Sequence, residues 1–245
     1  MNPPFLNAQF VGRQTLLARL DRLYRTSRHV LLFGPAGVGK SMLLAEFAKT
    51  HPLLFAPHCS CLGEMLASLE STAGLNGDEL KISTRVHLLA AHLPKIGRPI
   101  VLDHVARVPP RVAHFARYML IRQPVWLVAR STQPLEIGHV WPFLFHFVRV
   151  DVPPFSPEET RAFLLAVDFA GDRNRLLASA RQLHRLAAGH PGTLAALVAE
   201  LRRRFYDLDT AEGLRLLALH ARITDVEQRL ATDEPRLRPA VTSPS

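Results

Sequence analysis

The sequence predicts an α/β domain in three layers, a five-stranded parallel sheet between helices, followed by a small all-helical domain. Three observations predict it. Continuous apolar runs alternate with helix-sized segments, the pattern of strands buried on both faces. A glycine-rich loop joins the first such run to a helix. After Pro153 the strand-like runs stop and helix-start signatures take over.

Leu16, Leu17, Leu20 and Leu23 recur at helical spacing within Gln14–Thr26, so a helix opens the domain. His29–Phe33 reads as the first strand, and a helix runs from Lys40 to about Lys49. Leu53–Pro57 is the second strand, and Leu62–Leu93 reads as two helices divided by the Asn76-Gly77 turn. Pro99–Asp103, Val125–Arg130 and His146–Val150 supply three more strands. The connections are long enough for right-handed crossovers. Ser156 with Glu159 three residues on is a capping box, and Pro157 takes the first helical position of a helix to about Phe169. Asn174–Ala188 and Thr193–Phe205 are two further helices around Gly189-His190-Pro191-Gly192, and Thr210–Leu230 is another. The tail from Asp233 carries Pro235, Pro239 and Pro244 and is read as frayed. The expected divisions are a core over 1–154, a helical segment over 155–206, and a short helix with a tail over 207–245.

Composition narrows the class. Apolar residues make up 48% and charged residues 21%, ordinary for a globular chain. No run approaches about 18 uncharged apolar residues, so the sequence offers no membrane span. Met1–Gln9 lacks a signal-like core, and the two cysteines, Cys59 and Cys61, are too few and too close for a disulfide framework. A reducing, cytoplasmic setting is the expectation. The +9 formal charge is uneven: residues 1–150 carry 17 Arg/Lys against 8 Asp/Glu, and the remainder 13 of each. A basic first part suits a polyanion such as DNA, and equally a bound nucleotide.

Gly34-Pro35-Ala36-Gly37-Val38-Gly39-Lys40-Ser41 matches the phosphate-binding pattern GxxxxGK[ST] in its required strand–loop–helix frame. The glycines let backbone N–H groups curve round a phosphate, and the helix N-terminus adds open donors. Lys40 is expected on the β- and γ-phosphates of ATP, and Ser41 on Mg²⁺. The second requirement of this chemistry is an aspartate at a neighbouring strand end, and Asp103 supplies it as the second metal-site residue. The following position, often a carboxylate that polarises the attacking water, is His104. A neutral imidazole accepts a proton near pH 7, so His104 is either a weak base or a residue capping the strand end. Asp78 and Glu79 are the nearest spare carboxylates, with no spacing argument for either.

Over residues 9–205 the chain resembles the AAA+ superfamily, on its STAND/NB-ARC and origin-recognition-like side, which includes ATPases that assist transposition. Phe10-Val11-Gly12-Arg13 is similar to the segment whose backbone contacts adenine in that superfamily. Gly34–Ser41, with Met42 on the following turn, resembles Walker A, and Ile100–Asp103 resembles Walker B. Trp126–Ser131 looks like the sensor strand, with Arg130 (the NB-ARC pattern) or Ser131 (the AAA+ pattern) as the γ-phosphate sensor. Gly189-His190-Pro191 is similar to the lid motif whose proline, here Pro191, packs on the base. The resemblance implies strand order 5-1-4-3-2, a helical lid, and an ATP/ADP- and Mg²⁺-dependent regulatory switch with slow hydrolysis. The alternatives are a DNA-associated ATPase and a nucleotide-binding interaction module without turnover. Arg13 and Pro191 also read as a helix-start charge and a plain helix breaker.

Departures from the resemblance matter. Thr132–His146 contains no arginine, so the usual arginine finger of a ring-forming motor is absent from its place; Arg117 and Arg122 are helix-surface charges or an unusual substitute. About 40 residues follow the lid, so a truncated or minimal version, or one acting through a protein partner or self-association, is expected. Three smaller signals remain open. His58-Cys59-Ser60-Cys61 is a strand end or a metal segment. Trp141, Phe143, Phe145 and Phe147 are core or a partner-facing patch, and Arg202-Arg203-Arg204 completes a helix dipole or meets DNA phosphate.

Overall fold

The computed structural model describes residues 10–77, 79–130, 133–169 and 171–233. Five strands form one sheet: β1 (Val30–Phe33), β2 (Leu54–Ala56), β3 (Ile100–Val105), β4 (Val125–Ala129) and β5 (Val148–Asp151). All pairings are parallel and the order is β2-β3-β4-β1-β5, the expected 5-1-4-3-2 read from the other edge. Every residue of β1 and β4 is buried, which is why these segments are unbroken apolar runs, whereas the edge strand β5 buries only Val150.

Helices cover both faces. α1 (Gln14–Arg25) and α2 (Lys40–Ala48) lie on one face, where Leu20, Leu43, Leu44 and Phe47 pack with Val30, Leu32, Trp126 and Val128. On the other, α3 (Leu62–Ala73), α4 (Ile82–Ile96) and α5 (Pro110–Leu120) pack Leu66, Leu89, Val112 and Phe115 against Leu31, Leu102 and Leu127. The odd and even residues of β1 therefore point into two separate cores, the geometry of a pleated strand. One buried ion pair, Glu70–Arg85 at 2.5 to 3.1 Å, ties α3 to α4.

The helical part begins with α6 (Pro157–Ala166), whose capping box forms as expected: Glu159 N–H donates to Ser156 Oγ, and Ser156 N–H to the Glu159 carboxylate. The single helix expected over Asn174–Ala188 is two, α7 (Arg173–Ala178) and α8 (Ala180–Ala187), because the backbone leaves helical geometry at Ser179. α9 (Pro191–Arg203) starts at its proline rather than at Thr193, since proline fits the first helical turn. α10 (Ala211–Asp233) is 23 residues long. A third core, from Phe155 to Ala221, is built by α6 to α10 and includes Leu183, Leu194, Leu197 and Leu217.

The aromatic segment divides. Phe143 and Phe147 are buried at the sheet, while Trp141 and Phe145 are exposed, the latter at 79%.

Candidate functional site

β1 lies between β4 and β5, so the crossovers from β1 leave in one direction and those into β5 in the other; a crevice opens at the strand ends. The glycine loop fills it. A Cβ on Gly34 would sit 2.8 Å from Val152 O, a backbone atom that cannot step aside, so this first turn demands glycine. Gly39, with φ 89°, is the N-cap of α2 and supplies no capping side chain. The first N–H groups of α2 thus remain available to a ligand.

Lys40 is 5% exposed and donates to Gly34 O at 2.7 Å and Pro35 O at 2.8 Å. Burial lowers its pKa to about 8, and the Arg130 and Arg13 guanidiniums push the same way against the Asp103 carboxylate. Ser41 Oγ donates to Asp103 Oδ2 at 2.8 Å, although the two lie on different elements, α2 and β3. Asp103 is 2% exposed, and its other oxygen accepts the His104 N–H at 2.6 Å.

His104 adopts φ 56°, an unusual conformation for a residue with a Cβ. Its Nδ1 lies 2.7 Å from Pro57 O; a carbonyl only accepts, so Nδ1 carries the proton. Nε2 is then the acceptor, and it faces the Arg130 guanidinium, which only donates. Burial lowers the His104 pKa, against Asp103 and the Pro57 carbonyl and together with Arg130 and His58, so the imidazole is neutral at pH 7. The expected base and the expected sensor are therefore one hydrogen-bonded pair, with the lone pair of the base already engaged.

Arg13 is folded inward, not solvated. It is 8% exposed, donates through Nη2 to Pro153 O at 2.9 Å, and lies over the Phe155 ring at 4.9 Å. Its Nη1 is buried without a hydrogen-bond partner and lies 3.7 Å from the position of a Cβ on Gly39. Burial lowers its pKa, opposed by Glu159.

These groups surround a cleft of about 590 Å³, inside the roughly 300–1,000 Å³ usual for small-molecule sites. Val11, Arg13, Ala36, Gly37, Gly39, Lys40, Ser41, Met42, Asp103, Arg130 and Pro191 all line it. Gly12, Gly34, Pro35, Val38 and His104 do not: Val38 is a core residue, and Gly12 packs against Glu159. Ser131 and Asp78 lie outside the described residues, and Glu79 is exposed away from the cleft. Arg117 is on the surface of α5, and Arg122 stacks on Tyr118 at 3.7 Å, neither reaching the cleft. Cys59 is buried and Cys61 exposed; among the described residues no three His, Cys, Asp or Glu side chains converge to hold a metal.

The helical part closes the other wall. Gly192 N–H donates to Gly37 O at 3.0 Å, so the first turn of α9 rests on the glycine loop. Ala195, Ala199 and Arg202 follow along one face of α9, and α6 adds Phe163. Arg202 and Arg203, read from the sequence as completing a helix dipole or meeting DNA phosphate, close the last turn of α9 and line the cleft. The small residues at 192, 195 and 199, at helical spacing, are the sequence signal that marks this face of α9 as the one that approaches another element.

A buried guanidinium with one N–H group unpartnered, a confined ammonium, an uncapped helix start and a hydroxyl–carboxylate pair are the donor set of an anion with a divalent metal. The residues present fit such a ligand. The AAA ATPase domain family matches residues 9–168, well over half of the chain. The chain belongs to this family.

Solved structures agree on the fold of this AAA ATPase domain. The Orc1 protein of Aeropyrum pernix, solved in complex with DNA, superposes with a TM-score of 0.62 at 17% identity, over 94% of this chain and 69% of that one. A STAND ATPase from Pyrococcus horikoshii with a tetratricopeptide repeat sensor gives 0.55 at 18%, over 88% of this chain. This chain spans 32% of that protein's length. Domain III of the replication initiation protein DnaA from Thermotoga maritima gives 0.55 at 12%, over 89% and 96%. At these identities the likeness is one of fold. No helix among the described residues is long and apolar enough to cross a membrane.

Proposed function

We propose that this AAA ATPase domain binds ATP with Mg²⁺ in the cleft and works as a nucleotide-controlled switch that hydrolyses slowly. The observation that carries the reading is the meeting of Ser41 with Asp103 at 2.8 Å beside Lys40, across 62 residues of sequence. Ser41 and Asp103 would hold Mg²⁺, which supplies charge neutralisation to the β- and γ-phosphates. Lys40 and the first N–H groups of α2 neutralise and orient the phosphates. Arg13 offers its unpaired Nη1, Val11 and Met42 line the cleft, and Pro191 faces the base from a lid formed by 155–206.

Slow turnover follows from His104. A base needs a lone pair aimed at the attacking water, and the His104 lone pair is held by Arg130. A γ-phosphate that draws Arg130 towards itself would release Nε2, so the same guanidinium reports the nucleotide and gates the base. The test measures MgATP binding by calorimetry and phosphate release in parallel. Wild type should bind and release phosphate slowly, and Asp103→Ala should lose the Mg²⁺-dependent part of the affinity and release no phosphate. His104→Glu, which restores a carboxylate, should hydrolyse faster than wild type, whereas no gain there, or phosphate release from Lys40→Ala equal to wild type, would reject the mechanism.

A second reading is a DNA-associated ATPase. The excess of nine positive charges over residues 1–150 favours it. ATPase rates alone, with duplex DNA and with single-stranded DNA decide it, beside salt-dependent retention on DNA; no retention at low salt removes this reading.

A further inference from the structure

α10 presents two apolar faces, and only one has a partner. Leu217 and Ala221 are buried at 0% and 4% in the core shared with α9. On the opposite side Leu216, Leu219, Ile223 and Val226 are 43–53% exposed. Their spacing alternates three and four residues, the a and d positions of a heptad, and the sequence continues it to Leu230. A helix that only closes a small domain needs one apolar stripe; a second stripe in strict heptad spacing suits another helix of like pitch.

We infer that this face of α10 pairs with α10 of a second copy of the chain in a parallel two-stranded coil. The charges beside the seam choose both occupant and direction. With Leu216 at a, the flanking g position holds Arg222 and the next e position holds Glu227, both exposed. In a parallel pair, g of one helix meets the following e of the other, so Arg222 faces the Glu227 of the second copy twice over by symmetry. An antiparallel pair sets g against g, and Arg222 would then oppose its own copy. From Leu216 to Val226 the seam is only about 15 Å long, too short for a free peptide coil. Here α10 is already held helical by the core beneath it, so pairing carries little ordering cost. The association is accordingly concentration-dependent, and it rests on α10 alone, independent of the nucleotide reading.

Sedimentation of the full chain between about 1 and 100 µM tests it, with the 27.3 kDa protomer expected to shift towards twice its mass. Ile223→Glu, at a half-exposed site, should remain monomeric throughout, with Leu219→Lys as a second variant. Arg222→Glu should weaken pairing roughly tenfold, through two lost attractions and two gained repulsions, and adding Glu227→Arg should restore it. Direction is read in a Cys61→Ser background: Leu216→Cys and Val226→Cys should each form disulfide dimers with themselves. A wild type that stays monomeric at about 100 µM, a dimer indifferent to both seam variants, or cross-linking only between the two different cysteine variants overturns the proposal.

Discussion

Replacing Lys40 with Met separates the phosphate grip from the stability of the fold, because the structure assigns the two opposite signs. Lys40 is 5% exposed, and its pKa falls to about 8, so its surroundings disfavour the charge even with two carbonyl acceptors and Asp103 nearby. In the nucleotide-free protein this ammonium costs stability below pH 8. The cost is relieved as pH rises from about 8 towards the unfolded value of 10.5, because there the unfolded chain binds the extra proton. Met keeps the apolar stem and removes the charge. Nucleotide-free Lys40→Met should therefore melt no lower than wild type and lose the stability gain between pH 8 and 10. Wild type behaves differently with ATP. At a ligand concentration about 100 times Kd, binding adds about 2.7 kcal/mol, and at about 2–4 °C per kcal/mol for a chain of this size that is a rise of roughly 5–11 °C. Thermal melts by circular dichroism, with and without MgATP at pH 7 and pH 9, read all of this. A Met variant that keeps the ATP-induced rise, or that melts many degrees below nucleotide-free wild type, refutes the reasoning.

Asp103→Asn should preserve the fold and the Ser41 contact while removing the metal's charged partner. The ratio of ATP affinity with Mg²⁺ to that with EDTA should fall at least tenfold, as measured by calorimetry. Truncating Glu70 to Ala removes the carboxylate that accepts from Arg85 Nε and Nη2, an expected loss of about 3 kcal/mol in urea unfolding, and Glu70→Met with Arg85→Met together should recover most of it. A thiol reagent at pH 8 should label Cys61 rapidly and leave Cys59 untouched in the folded chain, since burial, then Asp103, push the Cys59 thiol up to about 12.

The sheet was legible because burial on both faces writes a continuous apolar run, and β1, β4 and the first half of β3 are such runs. The phosphate loop was legible because its backbone path tolerates few residues: Gly34 is forced by Val152 O, and Lys40 and Ser41 follow at fixed spacing. Features created by docking were not legible. Both sides of Ser179 have helical periodicity, and no proline or glycine marks the break between α7 and α8. The charge at Arg202 reads identically whether it points to solvent or into a cleft, and only the seating of α9 on Gly37 decides. His104 and Arg130 are 26 residues apart on two strand ends, so their pairing appears only once β3 and β4 are side by side. Arg13 is inside and not a solvated helix-start charge for the same reason, since Pro153, which accepts from it, lies 140 residues away along the chain, with Phe155 just beyond.

These contacts lead from the phosphate loop to α10. Gly37 O accepts from Gly192 at the start of α9, α9 packs on α10 through the shared core, and Phe155 N–H closes the helical part onto Gly189 O at 2.7 Å. A nucleotide that reshapes the loop around its β-phosphate acts on the residue on which α9 rests. If the lid turns as one body, α10 turns with it, and the Ile223 seam changes its presentation without any ligand touching it. Disulfide formation by Ile223→Cys in the Cys61→Ser background should therefore differ with MgATP, with ADP and without nucleotide, by the factor through which nucleotide and self-association are linked. Reciprocity demands the same factor in ATP affinity between low and high protein concentration. Gly192→Val, which puts a side chain against the Gly37 backbone where even a Cβ would lie 3.2 Å from its carbonyl oxygen, should abolish that difference while leaving seam pairing intact. Equal cross-linking rates in all three nucleotide states of the unmodified lid would show instead that the seam and the cleft are independent devices on one chain.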